Sequence, residues 1–196
     1  MVEPAILFGR LGNSMFQMAH LVAQAKKGEI PDWFVQDPKF FEGAEEEIKK
    51  LYGDGIGYLP YIGVHLRVGK NPLNPNEPAY VDNPFYTPLV KTGYYIKALE
   101  QFSHMKVIVF SDDMDFARTY FEGDRFAFDE SATDIEALNK LASCHHKIIA
   151  NSSFGWWAGY LGGISDTKVI CPREDEWYSD GVVRTKVPKE WIQQAL

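Results

Sequence analysis

The sequence predicts an α/β domain built on a parallel sheet, and three observations carry that prediction. Apolar, β-branched runs at 61–68, 107–110, 147–150 and 168–171 alternate with stretches of helical length at about 93–102, 133–143 and 153–161. Such alternation means parallel strands with crossover helices packed on the sheet. The 196 residues are 45% hydrophobic and 14% aromatic, enough apolar mass for one cored domain with a small companion. The strand ends run into Gly, Ser, Asn and Asp, which suits the edge of a parallel sheet where ligands sit.

In chain order, Ala5-Ile6-Leu7-Phe8 reads as a buried strand that stops at Gly9. Gly9 to Ser14 reads as a turn, with Asn13 or Ser14 capping a helix over Met15–Lys27 that Gly28 stops. Residues 31–41 are aromatic and irregular, and Glu45–Leu51 is a short charged helix. Tyr61–Val68 is the clearest strand. Gly69–Pro88 is a Pro-rich loop with Asn-Pro steps at 71–72, 74–75 and 83–84, long enough to suggest a functional or disordered segment. A helix follows Ser111-Asp112-Asp113, and a short strand lies near Phe126. The linker candidates are that loop and the Gly-rich Gly53–Gly57, which predicts a reduced region at 1–60 and a Rossmann-like domain at 61–196.

Bulk properties exclude several classes. A formal net charge of −7 and the absence of a basic face disfavour nucleic acid as a partner. Cys144 and Cys171 form no C-x-x-C pair and lie in apolar runs, so buried thiols are expected. No metal-ligand spacing occurs, and the adjacent His145 and His146 are expected on opposite faces of a strand. No basic, apolar leader and no 18-residue apolar run is present, so a soluble, cytoplasmic chain without a membrane span is expected.

Four strand ends carry the candidate chemistry. Gly9-Arg10-Leu11-Gly12-Asn13 is either a plain turn or a place where the backbone approaches a ligand. His65 and Arg67 share a strand face, and a buried Arg needs either an anion such as phosphate or a carboxylate. Ser111-Asp112-Asp113 is either a helix cap or a ligand-facing carboxylate. Asn151-Ser152-Ser153-Phe154-Gly155-Trp156-Trp157 opens a helix with small hydroxyl residues, an anion-site pattern, while its tryptophans anchor the helix or line a cleft. An arginine and a helix N-terminus at neighbouring strand ends suit a pyrophosphate.

Gly9-Arg10-Leu11-Gly12-Asn13-Ser14-Met15-Phe16-Gln17, Phe110-Ser111-Asp112-Asp113 and Lys147–Trp157 resemble the G-G-L-G-N-Q-M-F-Q, F-S-D-D and I-I-A-N-S-[ST]-F-S-W-W motifs of the α-1,2-fucosyltransferases, glycosyltransferase family 11. The resemblance implies a GT-B-like enzyme, inverting and metal-independent, with GDP-β-L-fucose as donor and no cofactor. It implies donor contacts from Gly12, His65, Arg67, Asp112, Ser152, Ser153 and Phe154, with Asn13 and Arg67 at the reacting end. Three departures stand out. The family's H-x-R-R-G-D is here His65-Leu66-Arg67-Val68-Gly69-Lys70, closer to the H-L-R-I-G of protein O-fucosyltransferases, whose G-R-F-G-N also resembles Gly9–Asn13. An Asp often found near the position of Ala137, linked to guanine, is represented only by Asp134 and Glu136 nearby. His65 comes early in the chain, which implies an acceptor side that is reduced, open or completed by another subunit, a homo-oligomer included.

The expected partners are therefore a GDP-sugar and a glycan acceptor. The acceptor's proton could pass to Asp112, Asp113, Glu77 or Asp82. Two other readings stand beside transfer: a nucleotide-sugar binding protein without activity, and a carbohydrate-recognition module that stacks sugars on Trp156, Trp157 and Trp177.

Overall fold

The computed structural model of the protein describes residues 11–27, 37–53, 56–70 and 76–196. The expected strand at Ala5–Phe8, Gly9 and Arg10 of the first turn, the stop at Gly28 and the first two Asn-Pro steps lie outside the described residues.

Among the described residues six strands form one parallel sheet. They are β1 (Leu59–Leu66), β2 (Val107–Ser111), β3 (Phe126–Phe128), β4 (Cys144–Ile148), β5 (Val169–Pro172) and β6 (Ile192–Gln194). Their spatial order is β3-β2-β1-β4-β5-β6. The chain moves outward from β1 to β3, returns to place β4 on the other side of β1, and moves outward again. Parallel strands need crossovers, and these are α3 (Tyr94–Glu100), α4 (Met114–Tyr120), α5 (Asp134–Ser143) and α6 (Ser153–Leu161). Two further helices, α1 (Leu11–Lys27) and α2 (Glu45–Tyr52), precede the sheet.

Strand alternation sorts the core into two layers. Ile62, Val64, Leu66, Val107 and Val109 pack against Tyr94, Tyr95, Ala98 and Leu99 of α3 and Ala117 of α4. Ile108 and Phe110 face the other layer, with Leu138 and Leu141 of α5, Trp156 and Trp157 of α6, Met15 and Phe16 of α1, and Ile48 of α2. On β1 the positions facing this second layer are Gly63 and His65. A Cβ on Gly63 would lie 2.5 Å from Leu141 Cδ1, so the glycine lets α5 approach the sheet closely. The capping box of α5 fixes its start: Thr133 accepts from the Glu136 N–H, and Glu136 accepts from the Thr133 N–H.

Several boundaries differ from those expected, each for a physical reason. β1 ends at Leu66 instead of Val68, because the N–H groups of Val68 and Gly69 bond to Asp112 Oδ1 instead of a neighbouring strand, each at 3.0 Å. β4 starts three residues early, since Cys144 and His146 already pair with β1. α1 starts at Leu11, so Asn13 and Ser14 sit in its first turn and neither is its cap. That start is held by packing, with Trp157 Nε1 donating to the Gly12 carbonyl at 3.0 Å. β6 has only Ile192-Gln193-Gln194 and carries no hydrophobic alternation to reveal it. His145 and His146 do not point to opposite faces: their rings stack at 3.9 Å. The β1–β4 register shifts between Leu59 and Ile62, with the extra residue in β1. Cys144 and Cys171 are buried free thiols, as expected. Among the described residues no helix is long and apolar enough to cross a membrane.

Lys147 on β4 is fully buried, and its Nζ donates to the carbonyl of Gly162, the C-cap of α6, at 3.1 Å. A cation suits a helix C-terminus, but desolvation wins and lowers this amine to about 8 from 10.5. Between about pH 8 and 10.5 the unfolded chain then carries a proton that the folded chain lacks, so this group makes stability rise with pH. Lys147→Met should remove that contribution. In urea unfolding, the difference in stability between wild type and variant should shift toward the wild type by up to about 1.4 kcal/mol between pH 8 and 9. A difference that stays constant with pH would contradict it.

Candidate functional site

A cavity of roughly 240 Å³ opens at the carboxyl ends of β1 and β4, where the strand order reverses. Ligands of open parallel sheets bind at such a reversal, because the flanking crossovers leave on opposite faces and part there. Gly12, Asn13, His65, Arg67, Asp112, Ser152, Ser153 and Phe154 all line this cavity. Residues from four separate stretches of sequence are thus brought to one place.

Two helix N-termini meet there. Ser152 is the N-cap of α6 in an extended conformation, and its side chain makes no capping hydrogen bond. The first-turn N–H groups at Ser153 and Phe154 point out of the helix end, where an anion is favoured. The first turn of α1 lies against this tip. An added Cβ on Gly12 would fall 2.6 Å from Phe154 N and 2.6 Å from Ser153 C, so only glycine allows the two backbones this close. Ser153 Oγ also bonds Asn13 Oδ1 at 2.9 Å. Asn13 therefore reaches the cavity from α1 while tied to α6.

Arg67 sits just past β1 and forms an ion pair with Asp112 from the end of β2. Their side chains are only 11% and 10% exposed, so this pair answers the need of a buried guanidinium for a counter-charge. Asp113 is the N-cap of α4, accepting from the Phe116 N–H at 3.0 Å. The bland reading thus holds for Asp113, while Asp112 turns to the arginine. The Arg67 guanidinium also lies over the Tyr80 ring, 5.0 Å from its centroid. The Tyr80 hydroxyl donates to the Asn151 carbonyl beyond β4. Burial raises the Tyr80 pKa well above its ordinary value, so it stays a neutral donor. His65 is buried with its ring 5.1 Å from that of Phe154. Gly155 makes room for it, since a Cβ there would stand 2.7 Å from His65 Nδ1.

The cavity extends to both sides of this centre. Toward β3 it is lined by Phe110, Ser111, Asp129, Asp134 and Ala137. Asp129 is buried and held by Lys140 at 2.7 Å and by Ser131 Oγ at 2.9 Å. Of the two acidic residues near Ala137, Asp134 lines the cavity, whereas Glu136 is spent in the α5 capping box. Toward β5 the lining includes Glu77, Asn83, Tyr86 and Tyr178. Tyr86 stacks on Tyr80 at 4.1 Å and bridges to Tyr178 in antiparallel fashion. Asn151 ties this wall down: its Nδ2 donates to the Thr87 and Trp177 carbonyls at 3.0 and 2.7 Å.

The tryptophans do not form a stacking platform. Trp156, Trp157 and Trp177 are all essentially inaccessible. Each indole N–H is satisfied by a backbone carbonyl, of Lys186, Gly12 and Pro172 respectively. Trp156 and Trp157 belong to the core around Phe16, at 4.6 and 4.8 Å. The aromatic wall comes instead from Tyr80, Tyr86 and Tyr178, which sequence reasoning missed. The density of Tyr, Phe and Pro in 78–88 was the available signal.

The profile of the family described as Glycosyl transferase family 11 matches residues 27–195. The chain is 27% identical over 124 residues to the O-antigen biosynthesis glycosyltransferase WbnK of Escherichia coli, covering 58% of this chain and 40% of that protein. It is 24% identical over 183 residues to an alpha-1,2-colitosyltransferase of Escherichia coli, covering 82% of this chain and 60% of that protein. The chain thus spans less than two thirds of the length of both relatives.

Gly12→Ala should force α1 away from the α6 tip and cost about 1–3 kcal/mol, the usual price of overpacking. Gly57→Ala, with nothing within 4 Å of its added Cβ, serves as the neutral control. Chemical denaturation of the two variants measures the difference, and equal stabilities would show that the helix contact is pliable.

Proposed function

The chain belongs to glycosyl transferase family 11, and we propose that it transfers L-fucose from GDP-β-L-fucose to a glycan hydroxyl, with inversion and without a metal. The observation that carries this reading is the convergence of Arg67 and the α6 tip on one cavity at the strand-order reversal. Breaking the bond between sugar and phosphate puts negative charge on the departing diphosphate. A fixed guanidinium and oriented N–H groups stabilise that charge without reorganising. In this reading Arg67 and the backbone N–H groups of Ser153 and Phe154 hold the diphosphate, with Ser152 and Gly12 beside it. His65 lies toward the nucleotide, and Asn13 stands near the sugar.

An α-1,2 linkage is supported by the relative named alpha-1,2-colitosyltransferase, which also sets colitose beside fucose as the sugar. Residues 61–196 would then form the donor lobe of a GT-B-like enzyme, with 1–60 as a reduced acceptor-side region. A cavity of roughly 240 Å³ falls just below the range of about 300–1,000 Å³ common to small-molecule sites. An acceptor side completed by a second copy of the chain is part of this reading.

One observation favours a rival, a nucleotide-sugar binding protein without transfer. The position of the family's second Arg is Val68, which is buried, and Arg67 already has Asp112 as counter-charge. Release of GDP from GDP-fucose separates the two readings.

Calorimetry should show GDP binding tighter than UDP or ADP, and unchanged by EDTA. Equal affinity for the three nucleotides would remove the donor assignment. Arg67→Lys keeps the charge and loses the planar fork. It should lower turnover of GDP-fucose on the order of a hundredfold, read as GDP release; an unaltered rate would take Arg67 out of the mechanism.

A further inference from the structure

We infer that Tyr80 is a positioning residue that sets the Arg67 guanidinium against the N-terminal tip of α6. The inference rests on the transferase reading above, in which those two groups hold the diphosphate. They come from different parts of the fold. The β1–β4 ladder ends with the pair Val64 and Ile148. Arg67 and Ser153 both lie beyond it, so their spacing depends on contacts outside the sheet.

Tyr80 supplies such contacts on both sides. The Arg67 guanidinium lies over its ring, 5.0 Å from the centroid. Its hydroxyl donates to the carbonyl of Asn151, the residue just before the α6 N-cap Ser152. The tyrosine is itself fixed. Its N–H donates to the Gly69 carbonyl at 2.9 Å, and the next N–H, of Val81, donates to the Val68 carbonyl at 3.3 Å. Val68 and Gly69 in turn give their own N–H groups to Asp112. The two residues that follow Arg67 are therefore held by the Tyr80 segment and by β2 together. The Tyr80 ring also stacks at 4.1 Å on Tyr86, which with Tyr178 walls one arm of the cavity.

A neutral ring suits this place better than a second carboxylate. Asp112 already offsets the charge of Arg67, and a further anion would compete with the diphosphate. An aromatic face attracts a guanidinium while adding no net negative charge. Burial holds the Tyr80 phenol in its neutral form. The residue acts through Arg67 and the α6 tip, and moves no proton of its own.

A double-mutant cycle with Arg67, read as GDP release from GDP-fucose, tests the inference. Tyr80→Phe keeps the ring and loses the hydroxyl bond, and should lower kcat on the order of tenfold. Tyr80→Leu loses both contacts and should lower kcat on the order of a hundredfold. KM should change less than about threefold in each, because the charge that Arg67 meets develops in the transition state. Repeated in Arg67→Lys, which lacks the planar fork, the Tyr80→Phe change should cost less than about threefold. Tyr58→Phe removes the Tyr58 hydroxyl, which faces His145 at 3.3 Å beside the amino end of β1, and should match wild type. An unaltered kcat in Tyr80→Phe overturns the inference and leaves the donor reading standing. Losses that simply multiply with that of Arg67→Lys, or that appear in KM alone, overturn it too, by showing that Tyr80 only supports the fold. Tyr80→Phe preserves the ring and its packing, so it carries the test if Tyr80→Leu fails to fold. If the wild type does not consume GDP-fucose, the transferase reading fails and this inference fails with it.

Discussion

The ion pair between Arg67 and Asp112 is the constraint on which the site depends. Both side chains are close to nine-tenths buried, and the loss of either would strand the other's charge at a cost of about 3–5 kcal/mol. The same carboxylate ends β1 by taking the N–H groups of Val68 and Gly69. Gly69 permits this approach: a Cβ there would lie 2.8 Å from the Asp112 carbonyl oxygen. One aspartate therefore stops a strand, turns the chain out of the sheet and fixes a guanidinium at the point where the strand order reverses. The strand ending and the charge placement thus run through one side chain, by its two different oxygens.

Net charge gives a misleading view of this cavity. The chain carries −7 overall, and the described lining includes Glu77, Asp112, Asp129 and Asp134 against Arg67. Yet Asp112 is neutralised by Arg67, and Asp129 by Lys140 at 2.7 Å. What remains at the centre is a set of backbone N–H groups at the α6 tip, which no count of side chains records. On the proposed reading an acidic protein thus holds a diphosphate through local geometry. Asp134 and Glu77 also line the cavity.

The parts legible in the sequence are those written in short stretches. The alternation of strands and helices, the α6 tip at Ser152-Ser153-Phe154 and the shared face of His65 and Arg67 are all local patterns, and all appear in the fold. The parts that were not legible depend on contacts across long separations. The end of β1 depends on a carboxylate more than forty residues away. The start of α1 depends on Trp157, 145 residues from Gly12. The indoles looked like a sugar platform because adjacent tryptophans are rare, but only packing shows that Lys186 and Gly12 carbonyls already hold them. The stacking of His145 on His146 is a side-chain arrangement that strand alternation does not display.

The Pro-rich segment is where these long contacts act together. Tyr80 covers one side of the Arg67 guanidinium and bonds the Asn151 carbonyl. Asn151 in turn holds Thr87 and Trp177. Tyr86, stacked on Tyr80 and bridged to Tyr178, continues the same wall into the arm that contains Glu77. The residue that packs on the arginine is therefore also the anchor of the opposite wall, so displacing the segment would loosen Arg67 and open the Tyr86 arm at once. A reaction that must align a leaving group with an incoming hydroxyl gains from such a link, because small misplacements are costly in rate. On the proposed reading, Tyr80 ties the guanidinium to the Tyr86 wall in the folded chain, before either substrate arrives.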